Sequence, residues 1–247
     1  MKKIVFALLL YAFLSTTAGA TPSSLIRIPS VDVQPYGTVH LGIDINTAMY
    51  KPRGADSTGN ANVADDYEEP TDFGLTFGML DTGIFQVEFG FDIREPTDEP
   101  VYVNFKVAIP EGAIANQMPG FAIGGYSFGT DVDTNYNIFY IETAKTFSFM
   151  GRFTFGYFGG NTEHLRNIND EADHHGMLFG FDRRLPEVNE RLWFGIDYQQ
   201  TFSEYGAWSL GVSWAFSENA ALVIGFIRYN DERMNRDKMT WQIDFDF

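Results

Sequence analysis

Phe85, Val87, Phe89, Phe91 and Ile93 alternate with Gln86, Glu88, Gly90 and Asp92. A side chain every second residue on one side is the period of a β-strand. The pattern returns along the chain. Val39 to Ile45, Phe73 to Met79, Val101 to Ile109 and Phe147 to Tyr157 carry it in the first half. Met177 to Phe181, Leu192 to Tyr198, Trp208 to Phe216, Leu222 to Phe226 and Trp241 to Phe247 carry it in the second. Two further stretches are irregular: 119–129 is interrupted by Gly120, Gly124 and Gly125, and 135–143 is apolar on both faces. With these two the count is twelve strands, and ten or fourteen stay open.

The contents of each face separate a soluble sandwich from a membrane barrel. One face is apolar and free of charge through the core of every clear strand, while the other is rich in Gly, Ser and small residues. A sandwich needs a second layer to cover so much apolar strand, and no helical pattern supplies it. A closed sheet with its oily face outward needs no cover, because lipid provides it and closure pairs every backbone group. The expected fold is therefore all-β, a transmembrane antiparallel up-and-down barrel. Connections agree, since long polar segments (47–70, 94–100, 159–174) mostly alternate with tight ones such as Asp81-Thr82-Gly83, Ala144-Lys145 and 217–219. Aromatics gather where two interfaces belong: Tyr157, Tyr198, Trp208 and Trp241 on the long-loop side, and Phe147, Trp214, Phe216 and Phe245 on the other.

The N-terminus reads as an export signal. Lys2 and Lys3 precede an apolar run from Ile4 to Leu14, and Ala18-Gly19-Ala20 offers a cleavage site after Ala20. Eleven apolar residues at 1.5 Å each are too short for a hydrocarbon core of roughly 30 Å. The expected organisation is a signal peptide at 1–20, a periplasmic lead-in or short lumen insert at 21–35, and the barrel over 36–247. Pro29 and Pro35 keep the lead-in out of a regular ladder.

The last residues, Trp241-Gln242-Ile243-Asp244-Phe245-Asp246-Phe247, resemble the C-terminal signal of Gram-negative outer-membrane β-barrel proteins. That resemblance implies that Trp241, Ile243, Phe245 and Phe247 are read by the barrel-assembly machinery and that the chain resides in the cell outer membrane. Leu25-Ile26-Arg27-Ile28-Pro29-Ser30 with Pro35-Tyr36-Gly37 is loosely similar to the entry of barrels associated with exopolysaccharide secretion, and no activity is carried over from it.

Charge bears on partners. With 33 Asp+Glu against 17 Lys+Arg and a formal charge of −16, the chain lacks the basic stripe a nucleic-acid binder needs. Zero Cys excludes disulfides and thiolate chemistry. Inward acids are expected at Asp44, Asp72, Asp92 and Asp197 near the outer mouth, and at Asp182, Asp244 and Asp246 near the inner one. Glu88, Lys106 and Arg152 are expected near mid-height, with Glu88 and Lys106 as a pair at a constriction. His164, His174 and His175 share one loop with several carboxylates, a ligand set for a transition metal, but without the spacing of a helical His-x-x-x-His. A solvated polar loop is the expected state of that segment. No catalytic set emerges: His40 and Asp44 are four apart on one strand, beyond hydrogen-bond reach.

The expected function is a passive pore for small solutes with weak cation preference and no cofactor. The alternative is a plugged barrel presenting loops 47–70 and 159–174 to lipopolysaccharide, polysaccharide or a partner. A hydrolase at the rim is the third class.

Overall fold

The structure, a computed structural model, describes residues 23–49, 71–95 and 100–247. The export signal and the acidic segment 50–70 lie outside the described residues. Twelve strands follow one another: β1 (Val39–Ala48), β2 (Thr71–Asp81), β3 (Gln86–Glu95), β4 (Val101–Ile109), β5 (Gly120–Gly129), β6 (Asn135–Phe147), β7 (Gly151–Gly159), β8 (His175–Arg184), β9 (Leu192–Gln199), β10 (Ala207–Ser217), β11 (Ala220–Tyr229) and β12 (Lys238–Asp246). Each pairs antiparallel with its sequence neighbours, and β12 returns to β1, closing the sheet into a barrel. Closure leaves no edge with unpaired N–H and C=O groups, the condition for crossing a bilayer. The seam is completed by the chain end, where Val39 N–H donates to the Phe247 carbonyl at 3.0 Å and Phe247 N–H to that of Val39 at 2.9 Å.

The alternation in the sequence becomes outside and inside. Phe73, Phe89, Phe105, Phe121, Phe139, Phe155, Phe179, Leu210 and Val212 all point outward and are exposed. Their row continues across strands through ring contacts such as Phe155–Phe179 at 5.7 Å and Tyr198–Trp208 at 4.2 Å. An apolar belt around a closed sheet, with no protein layer over it, is a lipid-facing surface, so the barrel is transmembrane.

The irregular stretches have a local cause. The β4–β5 register shifts between Val103 and Phe105, and the β5–β6 register shifts between Tyr126 and Phe128. Ser127 and Asn137 both adopt positive φ (55° and 47°) there. A bulge inserts one residue on one strand and swaps the faces beyond it, which erases a period-two signal. One expected turn is corrected. Ala144-Lys145 is not a turn but part of the ladder, with Ala144 opposite Thr154 and Lys145 opposite Phe153. The reversal falls at 148–150, just before Gly151, whose φ of 117° other residues rarely adopt.

Candidate functional site in the lumen

The barrel is not hollow. Residues 23–35 lie inside it as a plug. A short reversal forms at its tip, with Leu25 N–H donating to Ile28 O at 2.9 Å and Ser30 N–H to Ser23 O at 3.2 Å. Leu25, Ile26, Ile28, Val31 and Val33 are buried, packed with Ala108, Ala122, Ile138, Tyr140, Phe158, Leu178 and Trp193 of the wall. This is why glycine stands at two inward positions of the wall, on β5 and β8. A Cβ on Gly180 would sit 2.4 Å from Leu25 Cδ1, and one on Gly120 3.1 Å from Val31 Cγ2. The apolar inner face of β6 is likewise explained, since Ile138 and Tyr140 meet the plug rather than water.

Charged and polar wall residues hold the plug at its tip and its base. At the tip, Asp197 Oδ2 accepts the N–H groups of Ile26 (2.9 Å), Arg27 (2.7 Å) and Ile28 (3.3 Å). Three successive N–H groups converging on one anion form a nest, which offsets the cost of burying both partners. Gln242 Nε2 donates to Ile26 O at 2.9 Å from the opposite wall. Lower down, Glu88 and Lys106 form an ion pair at 3.1 Å with side chains 4% and 2% exposed. Glu88 Oε2 accepts Gln34 N–H at 2.7 Å and Ser23 Oγ–H at 3.1 Å. Lys106 Nζ donates to Ser23 O at 2.8 Å and Asp32 O at 2.7 Å. The pair thus spans both ends of the plug. Arg152 pairs with Asp32 of the plug and, at 2.8 Å, with Asp182 of the wall.

Asp197, third from the end of β9, is 1% exposed because the plug tip covers it. Its strand is covered by the segment it holds, a contact 170 residues distant in sequence. Arg152 and Asp182 were expected at different heights, but they sit level across the β7–β8 ladder. Asp44 faces Asp72 directly across β1–β2, and Asp92 lies one strand further on, opposite Gly74. Asp244 and Asp246 both contact His40, at 3.4 Å and 3.0 Å. His164 is turned away from the other two histidines. Its Nε2 lies 2.8 Å from Val132 O and its ring packs on Tyr136, while His174 and His175 meet edge to face with ring centres 4.6 Å apart. Among the described residues no group of three His, Asp or Glu is disposed to hold a metal.

On the long-loop side of the plug a cavity of about 610 Å³ is lined by Asp44, Asp72, Asp92 and Asp244 on one arc and by Tyr126, Tyr136, Tyr140 and Tyr205 on another. Tyr136–Tyr205 and Tyr126–Tyr205 ring centres are 5.2 Å and 6.3 Å apart. Tyr205, on the connection after β9, donates to Ser127 Oγ at 2.9 Å. Burial pushes its phenol up to about 12, so it remains a donor. On the short-turn side a second cavity of about 450 Å³ is lined by Asp32, Arg152, Asp182, Arg183, Arg184 and Trp193.

Sequence reasoning passed over Glu142, Gln34, Gln199 and the tyrosines. Glu142 is 2% exposed on the irregular β6, with no hydrogen bond to either carboxylate oxygen among the described residues. A carboxylate in an otherwise apolar strand was the available signal. The tyrosines could not be told from lipid-facing aromatics while the β5–β6 register was hidden by bulges.

This fold and filled lumen define a class: a closed, twelve-stranded transmembrane β-barrel with an internal plug. Among solved structures the chain is similar to the KdgM porin (6% identity, TM-score 0.51, covering 85% of this chain and 98% of that one) and to the NanC porin (10%, 0.50, 84% and 98%). A KdgM porin in complex with disordered oligogalacturonate is similar to the same degree (6%, 0.51, 85% and 99%). At such identities the likeness is one of fold. No protein-family profile and no curated protein matches the sequence.

Proposed function

We propose that the protein is an outer-membrane pore for small polar solutes that rests closed, with residues 23–35 as its gate. The observation that carries this reading is the plug itself: thirteen residues occupy the lumen, and beside their apolar packing they are held by charge-assisted contacts to Asp197, Glu88, Lys106 and Arg152. Such contacts can be exchanged for water or for a ligand more readily than a continuous apolar core. The fold shared with the KdgM and NanC porins supports transport of small solutes over catalysis. The long loops face outward and both termini face the periplasm, as short periplasmic turns require. The last strand, Trp241 to Phe247, serves assembly, and the belt and loops meet outer-membrane lipid and lipopolysaccharide.

Once the plug moves, the wall carries Asp44, Asp72, Asp92 and Asp244 along the path. Acidic walls concentrate cations and repel anions within a Debye length of about 8–10 Å. The open pore is therefore weakly cation-selective, less so as salt rises.

Planar-bilayer recording tests this. The mature chain is expected to be mostly silent, and a variant lacking residues 21–34 to conduct, with reversal potentials on the cation side. Silence of both, with the folded barrel present, favours the second reading, a permanently plugged barrel that presents its loops. That reading is favoured by the apolar cluster of Leu25, Ile28 and Val31 inside the wall.

A further inference from the structure

We propose that the cavity above the plug is a binding site for a small solute bearing a protonated amine on a hydroxyl-rich ring, an amino sugar by chemical class. Two polar side chains on different walls are buried, line this cavity and each leave polar atoms without a hydrogen bond among the described residues. Asp244, 4% exposed on β12, has neither carboxylate oxygen hydrogen-bonded. Its charged neighbour is His40 at 3.4 Å, whose other ring nitrogen is at 3.0 Å from Asp246. Gln199, 3% exposed on β9, uses its Oε1 to accept Tyr126 O–H at 3.3 Å, and its Nε2 donates to nothing. Buried groups left in this state cost stability that a ligand matching both would return. One wall lacks a donor, and the other lacks an acceptor.

Charge balance sets the sign of the ligand. Asp72 is engaged by Arg94 at 2.8 Å and Glu88 by Lys106 at 3.1 Å. Asp92 receives only the neutral amide of Asn104, at 2.9 Å. Asp44 stands opposite Asp72, with no ion pair to a cation among the described residues. Even with His40 beside Asp244 and with Arg27 and Lys238 elsewhere on the lining, Asp44 and Asp92 leave one arc short of positive charge, which an ammonium supplies and a uronate would worsen. Facing them, Tyr126, Tyr136 and Tyr205 offer ring faces and hydroxyls, the surface on which the C–H face of a pyranose or an ammonium rests. A volume of about 610 Å³ suits one or two sugar rings.

The site is complete with the plug in place, so it stands or falls apart from the gating reading. The test titrates glucosamine, glucose and galacturonate onto the detergent-folded mature chain, followed by calorimetry or saturation-transfer NMR. Glucosamine is expected to bind, glucose about tenfold or more weaker, and galacturonate not to bind. Asp44→Asn and Asp244→Asn should each weaken glucosamine by about tenfold while leaving glucose unchanged. Asp44→Asn, away from the assembly strand, keeps the test valid if Asp244→Asn assembles poorly. Folded protein that ignores glucosamine, binds all three sugars alike or prefers galacturonate overturns the proposal. So does undiminished glucosamine binding by a folded Asp→Asn variant.

Discussion

Asp197 concentrates the role of single residues in this lumen. Three plug N–H groups depend on one carboxylate oxygen, so Asp197→Ala leaves all three buried without an acceptor. The loss of these charge-assisted bonds is expected to cost on the order of 1–3 kcal/mol. The cost should appear as faster amide hydrogen exchange at Ile26, Arg27 and Ile28, with the barrel strands unchanged. Unaltered protection at these three amides would contradict the anchoring role. A second residue effect lies outside the membrane, in the turn between β4 and β5. Burial alone would raise the Glu111 carboxyl, but hydrogen bonds from Lys145 and Thr146 outweigh it and hold the group below its ordinary value. A depressed acid stabilises the fold fully above the unfolded value near 4.5, and the contribution is lost as pH falls through the lower, folded value. Wild type should therefore lose more thermal stability than Glu111→Gln between pH 6 and pH 3, measured by the temperature at which the folded gel band disappears.

At the scale of elements, the plug and the β7–β9 wall are matched surfaces. Gly180 is a point of close approach on this wall, with Leu25 Cδ1, Thr154 Cβ and Ile28 Cδ1 all within 3.3 Å of where a Cβ would stand. Gly180→Phe fills the space that the plug tip occupies, and overpacking of this kind is not absorbed by rotamer changes alone. The expected result is expulsion of the tip. Arg27, shielded in the wild type, should then become a site of trypsin cleavage while the barrel stays resistant. Protection equal to wild type would mean that the wall yields instead. The same matching explains why 119–143 resisted reading. Its strands face the plug on one side and lipid on the other, so both faces are apolar, and the bulges at Ser127 and Asn137 shift the phase. Alternation reports burial, and here both sides were buried in something.

For the whole molecule the solvent is the bilayer. Phe89 and Val212 sit outward on the apolar belt, so Arg at either should cost roughly 2–4 kcal/mol if placed at the bilayer midplane. Urea titration of the refolded barrel in vesicles measures this, and a cost near zero would remove these residues from the lipid face. The inward Thr154 and Ser213 are 1% and 3% exposed, so the filled lumen offers Arg no room there either. Phe247 takes part in closure. Its backbone pairs with Val39 at the seam while its side chain is 71% exposed. Deleting it should leave an exported chain without the faster-migrating folded band in unboiled samples, whereas normal assembly would deny it that role.

Strand number, the lipid-facing side and the turn-loop asymmetry were legible because each depends on neighbours one or two residues apart, and lipid demands the same apolar answer at every outward position. Even the pairing of Glu88 with Lys106 could be foreseen, since adjacent antiparallel strands joined by a short connection fix which residues lie level. What the plug does was decided by tertiary structure. Residues 21–35 read as a periplasmic lead-in or a short lumen insert, with nothing in the segment to choose between them. Only closure of all twelve strands creates the concave, glycine-lined wall that receives them, and only closure brings Asp197 to amides about 170 residues away. The acids of the inner wall carry a charge that sequence can count. Which are already engaged by Lys106, Arg94 or Arg152, and which remain for a ligand, depends on distances across a lumen that exists only after the first strand has met the last.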